Sequence, residues 1–288
     1  MESKVTSNQR AMDIIKLSLR NNIRQYTMFI ALIGIMLIFS LLSDVFLTPR
    51  NLSTLFLQTA HIAILACGVV LVIVAGHIDL SIGAVVGLTG ASVAILQVKF
   101  GLGIIPSIFI TLAIGALIGL WQGYWVAYRD VPAFIVTLAG MMIFNGLLLG
   151  VTKGETIATS TTFNKIGQDY IPTLFLKNSP KDMLPHDTTV IILILVIIAY
   201  LWMEFRRRKE RIKYGFDILP KSLYILKISF VILLITAIFS IMALYLGIPY
   251  SILLLMVIGS FYTFLTTKTT FGRHVYAIGG NKEAAKLS

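Results

Sequence analysis

The chain has 288 residues, of which 57% are hydrophobic and only 13% charged, and its mean hydropathy is +0.88. A soluble globular domain carries about a quarter charged residues, so this composition excludes one and points to a chain built in a bilayer. The net charge of +11 raises the question of nucleic acid, and the placement of the basic residues answers it below.

Residues 1–26 form a basic lead in which Met12, Ile15, Leu19 and Ile23 interleave with Lys16, Arg20 and Arg24. That spacing suits an amphipathic helix on the membrane surface, and equally a plain basic flank that orients the first span. Eight apolar runs without Asp, Glu, Lys or Arg follow, at 27–43, 54–75, 82–98, 104–127, 132–151, 188–203, 228–247 and 250–267. At about 1.5 Å of rise per residue most can cross a hydrocarbon layer of about 30 Å. No small-residue cleavage site follows the first run, so it reads as a retained span rather than a secretory signal. The expected fold is an all-α, polytopic transmembrane helical bundle of about eight spans.

With the N-terminus in the cytoplasm, eighteen of the 24 Lys and Arg residues fall on the inner side and six on the outer. The positive-inside rule therefore places both termini in the cytoplasm. Orientation and anionic lipid account for the basic balance, and no nucleic-acid partner is expected. The single cysteine, Cys67, lies in the second run and excludes an intrachain disulfide framework and any cysteine-based metal cluster.

Two links stand out for length. The outer segment 152–187 carries Gly154, Pro172, Pro180 and Pro185 and reads as an exposed, irregular excursion, either a docking surface or a tolerated insertion. The inner segment 204–227 holds Arg206, Arg207, Arg208, Lys209, Arg211 and Lys213 and reads as a topological anchor. The stretch between them and the basic tail divides the chain into a lead (1–26), a transmembrane domain (27–267) and a cytoplasmic segment (268–288).

Chemistry at membrane depth needs ionisable groups, and the spans offer only His61, with His77 and Asp79 between the second and third. No catalytic residue, metal site or cofactor is expected from so few. No G-x-x-x-x-G-K-[ST] loop occurs, so a nucleotide-driven process would need a separate ATPase. The segment Gly76, His77, Asp79, Ser81 and Gly83 is the most polar near the membrane interior. Its glycines permit a break, and Asp79 either caps the third span or belongs to a broken helix lining a solute path. In the tail, the paired glycines Gly279 and Gly280 break the chain, Asn281 is a good N-cap and Glu283 suits a first turn, so a short helix is expected from Lys282.

The strings at 76–83, 121–129 and 131–140 and the tail from Thr269 together resemble the permease subunits of bacterial ABC importers for simple sugars, the family of the ribose, xylose and galactose systems. The string Ile166, Gly167, Gln168, Asp169, Tyr170, Ile171, Pro172 is similar to xylose-type members. The resemblance runs from about 51 to 288. It implies a permease dimer in the bacterial inner membrane, a cytoplasmic ABC ATPase, an extracytoplasmic sugar-binding protein, and D-xylose or a similar monosaccharide as solute. It also implies an ATPase-coupling segment at Gly272, Arg273, Ala277, Gly279, Gly280, Asn281, Glu283, Ala284 and Ala285. Members of that family continue into further spans, so the chain is expected to be a truncated form. A facilitative or ion-coupled carrier, and a non-transporting scaffold or fragment, are the alternatives.

Overall fold

The computed structural model describes residues 23–174 and 185–287, and most of the basic lead lies outside them. The helices are α1 (Ile23–Leu42), α2 (Pro49–Val74), α3 (Ile82–Val98), α4 (Ile104–Tyr128), α5 (Ala133–Thr152), α6 (Thr161–Gln168), α7 (Asp187–Lys213), α8 (Lys221–Ala243), α9 (Tyr250–Lys268), α10 (Thr270–Gly280) and α11 (Lys282–Leu287). Each apolar run forms or overlaps a helix. Six helices, α2, α4, α5, α7, α8 and α9, are long and apolar enough to cross a membrane, whereas α1 and α3 carry shorter apolar stretches. Only 6% to 22% of each spanning window is buried within the chain, as expected where lipid covers the apolar side chains and the backbone bonds are closed within each helix.

The described residues divide into two compact units, each drawn from two stretches of sequence. One contains the residues up to Phe56 together with those from Tyr170 to Pro249. Its main packing is between α7 and α8. The apolar run that ends at Met203 continues as helix to Lys213, because Glu, Arg and Lys are good helix formers and basic residues suit a helix C-terminus. Gly215, at φ +71°, then reverses the chain: its N–H donates to Ile212 O and the Phe216 N–H to Arg211 O, a Schellman closure. The long inner link of the sequence is thus mostly helix, and its turn is confined to residues 214–220.

The other unit contains Leu57–Asp169 and the described residues from Tyr250 onward. Here α3 packs on both α4 and α5. Gly83, Ala84, Gly87, Gly90, Ala91 and Ala94 give α3 the small side chains that let membrane helices approach closely. A Cβ at Gly87 would stand 3.0 Å from Leu148 Cδ2. Ala84, Leu88 and Phe144 form the buried centre, with Ile118, Met141 and Leu148 packed around it.

The outer excursion corrects the reading of an irregular segment, since it contains α6. Ser160 caps this helix by accepting the Phe163 N–H at 3.3 Å. The Ser160 hydroxyl itself donates to Gln97 Oε1 at 2.9 Å, and α6 packs on α9. The composition of 152–187 masked a helix whose few apolar residues lie on one face.

Candidate functional site

The site is built where α2 ends. Gly76 adopts φ +82°, its N–H donates to Ile73 O at 3.0 Å and the His77 N–H to Val72 O at 3.0 Å, the same Schellman closure as at Gly215. From there the chain runs non-helically to Ser81 before α3 starts. Backbone without helical partners at membrane depth must find others, and uncharged polar side chains from α4 and α5 supply them. Thr137 Oγ1 accepts the Leu80 N–H at 3.1 Å and donates to Ile78 O at 3.3 Å. Asp79 Oδ1 accepts the Ser81 N–H at 2.8 Å and the Ser81 hydroxyl at 2.7 Å. Gln122 Nε2 donates to Ser81 Oγ at 2.9 Å.

Ser81, Gln122 and Thr137 are buried. Gln122 lies six residues before the end of α4, so the segment penetrates about 9 Å below that helix terminus. Gly140 on α5 leaves the room Gln122 occupies, since a Cβ there would meet Gln122 Nε2 at 2.5 Å.

Two expectations change. Asp79 is not the N-cap of α3: Ser81 holds that position, and Asp79 closes an Asx turn over the two residues before the helix. Gly83 takes no part in the break, because it sits inside α3 with open space around it. Gly76 alone supplies the positive φ. His77 is half-buried and lines a pocket of about 280 Å³ with Gly76, Asp130, Phe134 and Lys282. His61 lies on an exposed face of α2, away from this network.

The tail residues fall on two short helices. Thr269 caps α10 through Gly272 N–H to Thr269 Oγ1 at 3.3 Å. Gly272 is buried against the Thr266 carbonyl, where a Cβ has no space. Arg273, Ala277 and Gly280 are exposed on α10. Asn281 Oδ1 accepts the Ala284 N–H at 3.0 Å, and α11 starts at Lys282 as its capping pattern predicts. Glu283 lies in its first turn, 3.5 Å from Lys286 Nζ, with Ala284 exposed and Ala285 half-buried.

The paired glycines do not break the chain, since both belong to the last turn of α10 and the break falls at Asn281. Gly279 is needed for a different reason: a Cβ there would collide with the Val74 carbonyl oxygen at the end of α2. The tail and the break therefore meet, with Gly279 against Val74 and Lys282 in the pocket that holds His77.

Thr137, Gln122 and Gly140 were not expected as site residues. The signal available for them was a polar amide, a hydroxyl and a small residue within otherwise apolar spans.

The chain matches, over residues 51–208, the family model described as "Branched-chain amino acid transport system / permease component". It belongs to this family. It is 39% identical over 269 residues to the xylose transport system permease protein of Escherichia coli K12, covering 93% of its own length and 65% of the relative's. To the xylose transport system permease protein of Haemophilus influenzae Rd it is 41% identical over 272 residues, 93% of its length and 68% of the relative's. Similarity to the ribose import permease protein of Escherichia coli K12 is shorter, 40% over 135 residues, or 47% and 42% of the two chains. The chain thus spans about two thirds of the length of the xylose relatives it matches. No solved structure matches it. With six membrane-length apolar helices among the described residues, it is a multi-pass protein of the cell membrane.

Proposed function

We propose that this chain is the membrane-spanning part of an ATP-driven importer for a neutral monosaccharide, D-xylose foremost. The observation that carries the reading is 39% to 41% identity to xylose transport system permease proteins over 93% of the chain. The chemistry of the spans agrees: a neutral polyol requires hydroxyl and amide partners rather than charges, and the buried polar groups of the second unit, Ser81, Gln122 and Thr137 among them, are hydroxyls and an amide. Energy then comes from a cytoplasmic ABC ATPase, solute from an extracytoplasmic sugar-binding protein, and the full pathway from a second permease subunit. The ATPase-coupling residues are Gly272, Arg273, Ala277, Gly279, Gly280, Asn281, Glu283, Ala284 and Ala285. The contact of Gly279 with the end of α2 offers a route by which movement of α10 reaches the polar segment from Gly76 to Ser81.

The test is radiolabelled xylose uptake in cells that carry the chain with a candidate ATPase and binding protein. Uptake should vanish when the ATPase is omitted, and uptake indifferent to the ATPase would sink the proposal. Glu283→Lys is expected to lower uptake at least about ten-fold by opposing the α11 dipole and the coupling contact, with membrane content unchanged on immunoblot.

A further inference from the structure

We propose that the cytoplasmic end of the α7–α8 hairpin binds the phosphate headgroup of an anionic phospholipid. A pocket of about 1030 Å³ opens between the last turns of α7, the 214–220 link and the start of α8. Glu204, Arg207, Arg208 and Arg211, spaced i, i+3, i+4 and i+7, share one face of α7 and line it. Two of these are already engaged. Glu204 Oε1 accepts from Lys227 Nζ at 2.6 Å, while Arg208 lies 3.9 Å over the Tyr224 ring and donates to Leu219 O at 3.4 Å. Arg207 and Arg211 have no side-chain partner among the described residues, and of the pocket's acids Glu210 is taken up by Arg206 at 3.2 Å, leaving Asp217.

A second observation is independent of charge. Tyr224, only 9% exposed, also lines the pocket, and its hydroxyl has no hydrogen-bond partner. Two free guanidinium forks and an orphan hydroxyl match a phosphate, which Arg engages in a bidentate manner.

The rim identifies the phosphate as a lipid's. Phe216, Ile218 and Leu219 of the link are 62%, 45% and 42% exposed, and Trp202, one turn before the basic stretch, carries Arg206 at 5.7 Å. A cationic pocket bordered by exposed apolar and aromatic groups, at the end of two membrane-length helices, fits the boundary where acyl chains meet headgroups. A soluble phosphate makes no use of such a rim. Lys209 and Lys213, on the same helix, do not line the pocket, which supplies the control.

The full chain, purified in detergent, is titrated with phosphatidylglycerol and with phosphatidylcholine of the same acyl chains, and retained lipid is counted by native mass spectrometry. Phosphatidylglycerol should be retained preferentially. That preference should fall roughly ten-fold in the R207A/R211A double variant and by about two- to five-fold in Tyr224→Phe, yet stay within about two-fold of wild type in K209A/K213A, which removes equal charge. Equal retention of both lipids, or equal losses in the two double variants, overturns the site. Displacement of phosphatidylglycerol by millimolar inorganic phosphate overturns the lipid as occupant. Should R207A/R211A lower the unfolding midpoint, Arg207→Gln alone carries the test, with a loss of at least about three-fold expected and no loss overturning it.

Discussion

His186 shows how one ionisable group outside the spans is tied to the fold. Its N–H donates to Ala243 O at 3.0 Å, its Nδ1 lies 3.1 Å from Thr189 Oγ1, and its ring packs on Gly247, where a Cβ would stand 2.8 Å from Cε1. Burial pushes its pKa below the ordinary 6.5, against the opposing pull of Asp187 and a hydrogen bond that the ring donates to the Ile171 backbone. The folded state therefore favours the neutral ring, and the stability this contributes is intact above 6.5 and lost as the pH falls from there through the lower folded value. Amide-exchange protection at 170–174 and 244–249, taken relative to the intrinsic rate at each pH, should fall between about pH 7.5 and about pH 5.5, and His186→Gln should flatten the dependence. At the break, Asp79→Asn keeps an oxygen for the Asx turn and should change stability by less than about 1 kcal/mol. Gln122→Ala strips the buried amide from Ser81 and should cost about 1–3 kcal/mol, read as a lowered unfolding midpoint in detergent; an unchanged midpoint would show that the network contributes little.

Helix ends decide what the elements of this chain present to their neighbours. Both α2 and α7 stop at a glycine in the left-handed region, Gly76 at φ +82° and Gly215 at φ +71°, and in each case the closure sets the direction of the next segment. The α10 helix reverses the usual expectation for paired glycines. Gly279→Ala should displace α10 from the end of α2, because the added methyl has nowhere to go, whereas Gly280→Ala meets nothing within 4 Å. Exchange protection of α10 and α2 should fall in the first variant and hold in the second, and under the proposed transport role uptake should follow the same order. Equal behaviour of the two variants would show that Gly279 is not in contact with α2.

Across the whole molecule, orientation rests on charge, with eighteen of 24 basic residues assigned to one side. The single cysteine makes this testable. In a Cys67→Ser background, a membrane-impermeant maleimide should label Glu155→Cys in intact cells and Lys209→Cys only after permeabilisation; labelling of both from outside would invert or refute the topology. The sequence by itself determined the all-α membrane class and the position of the long apolar helices. Charge-free runs such as 104–127 can only be helices in lipid, where each backbone group must be bonded within its own segment. The α11 start was legible as well, because Asn281 and Glu283 act within one turn. What only the tertiary structure decided were the partners that lie far apart in sequence. Thr137 and Gln122 satisfy a segment 41 to 59 residues away, α6 is held by Gln97 and α9, and Gly279 owes its identity to a carbonyl on α2. A local pattern specifies a helix and its cap. The need for a buried hydroxyl, amide or missing methyl arises only when another part of the chain arrives beside it.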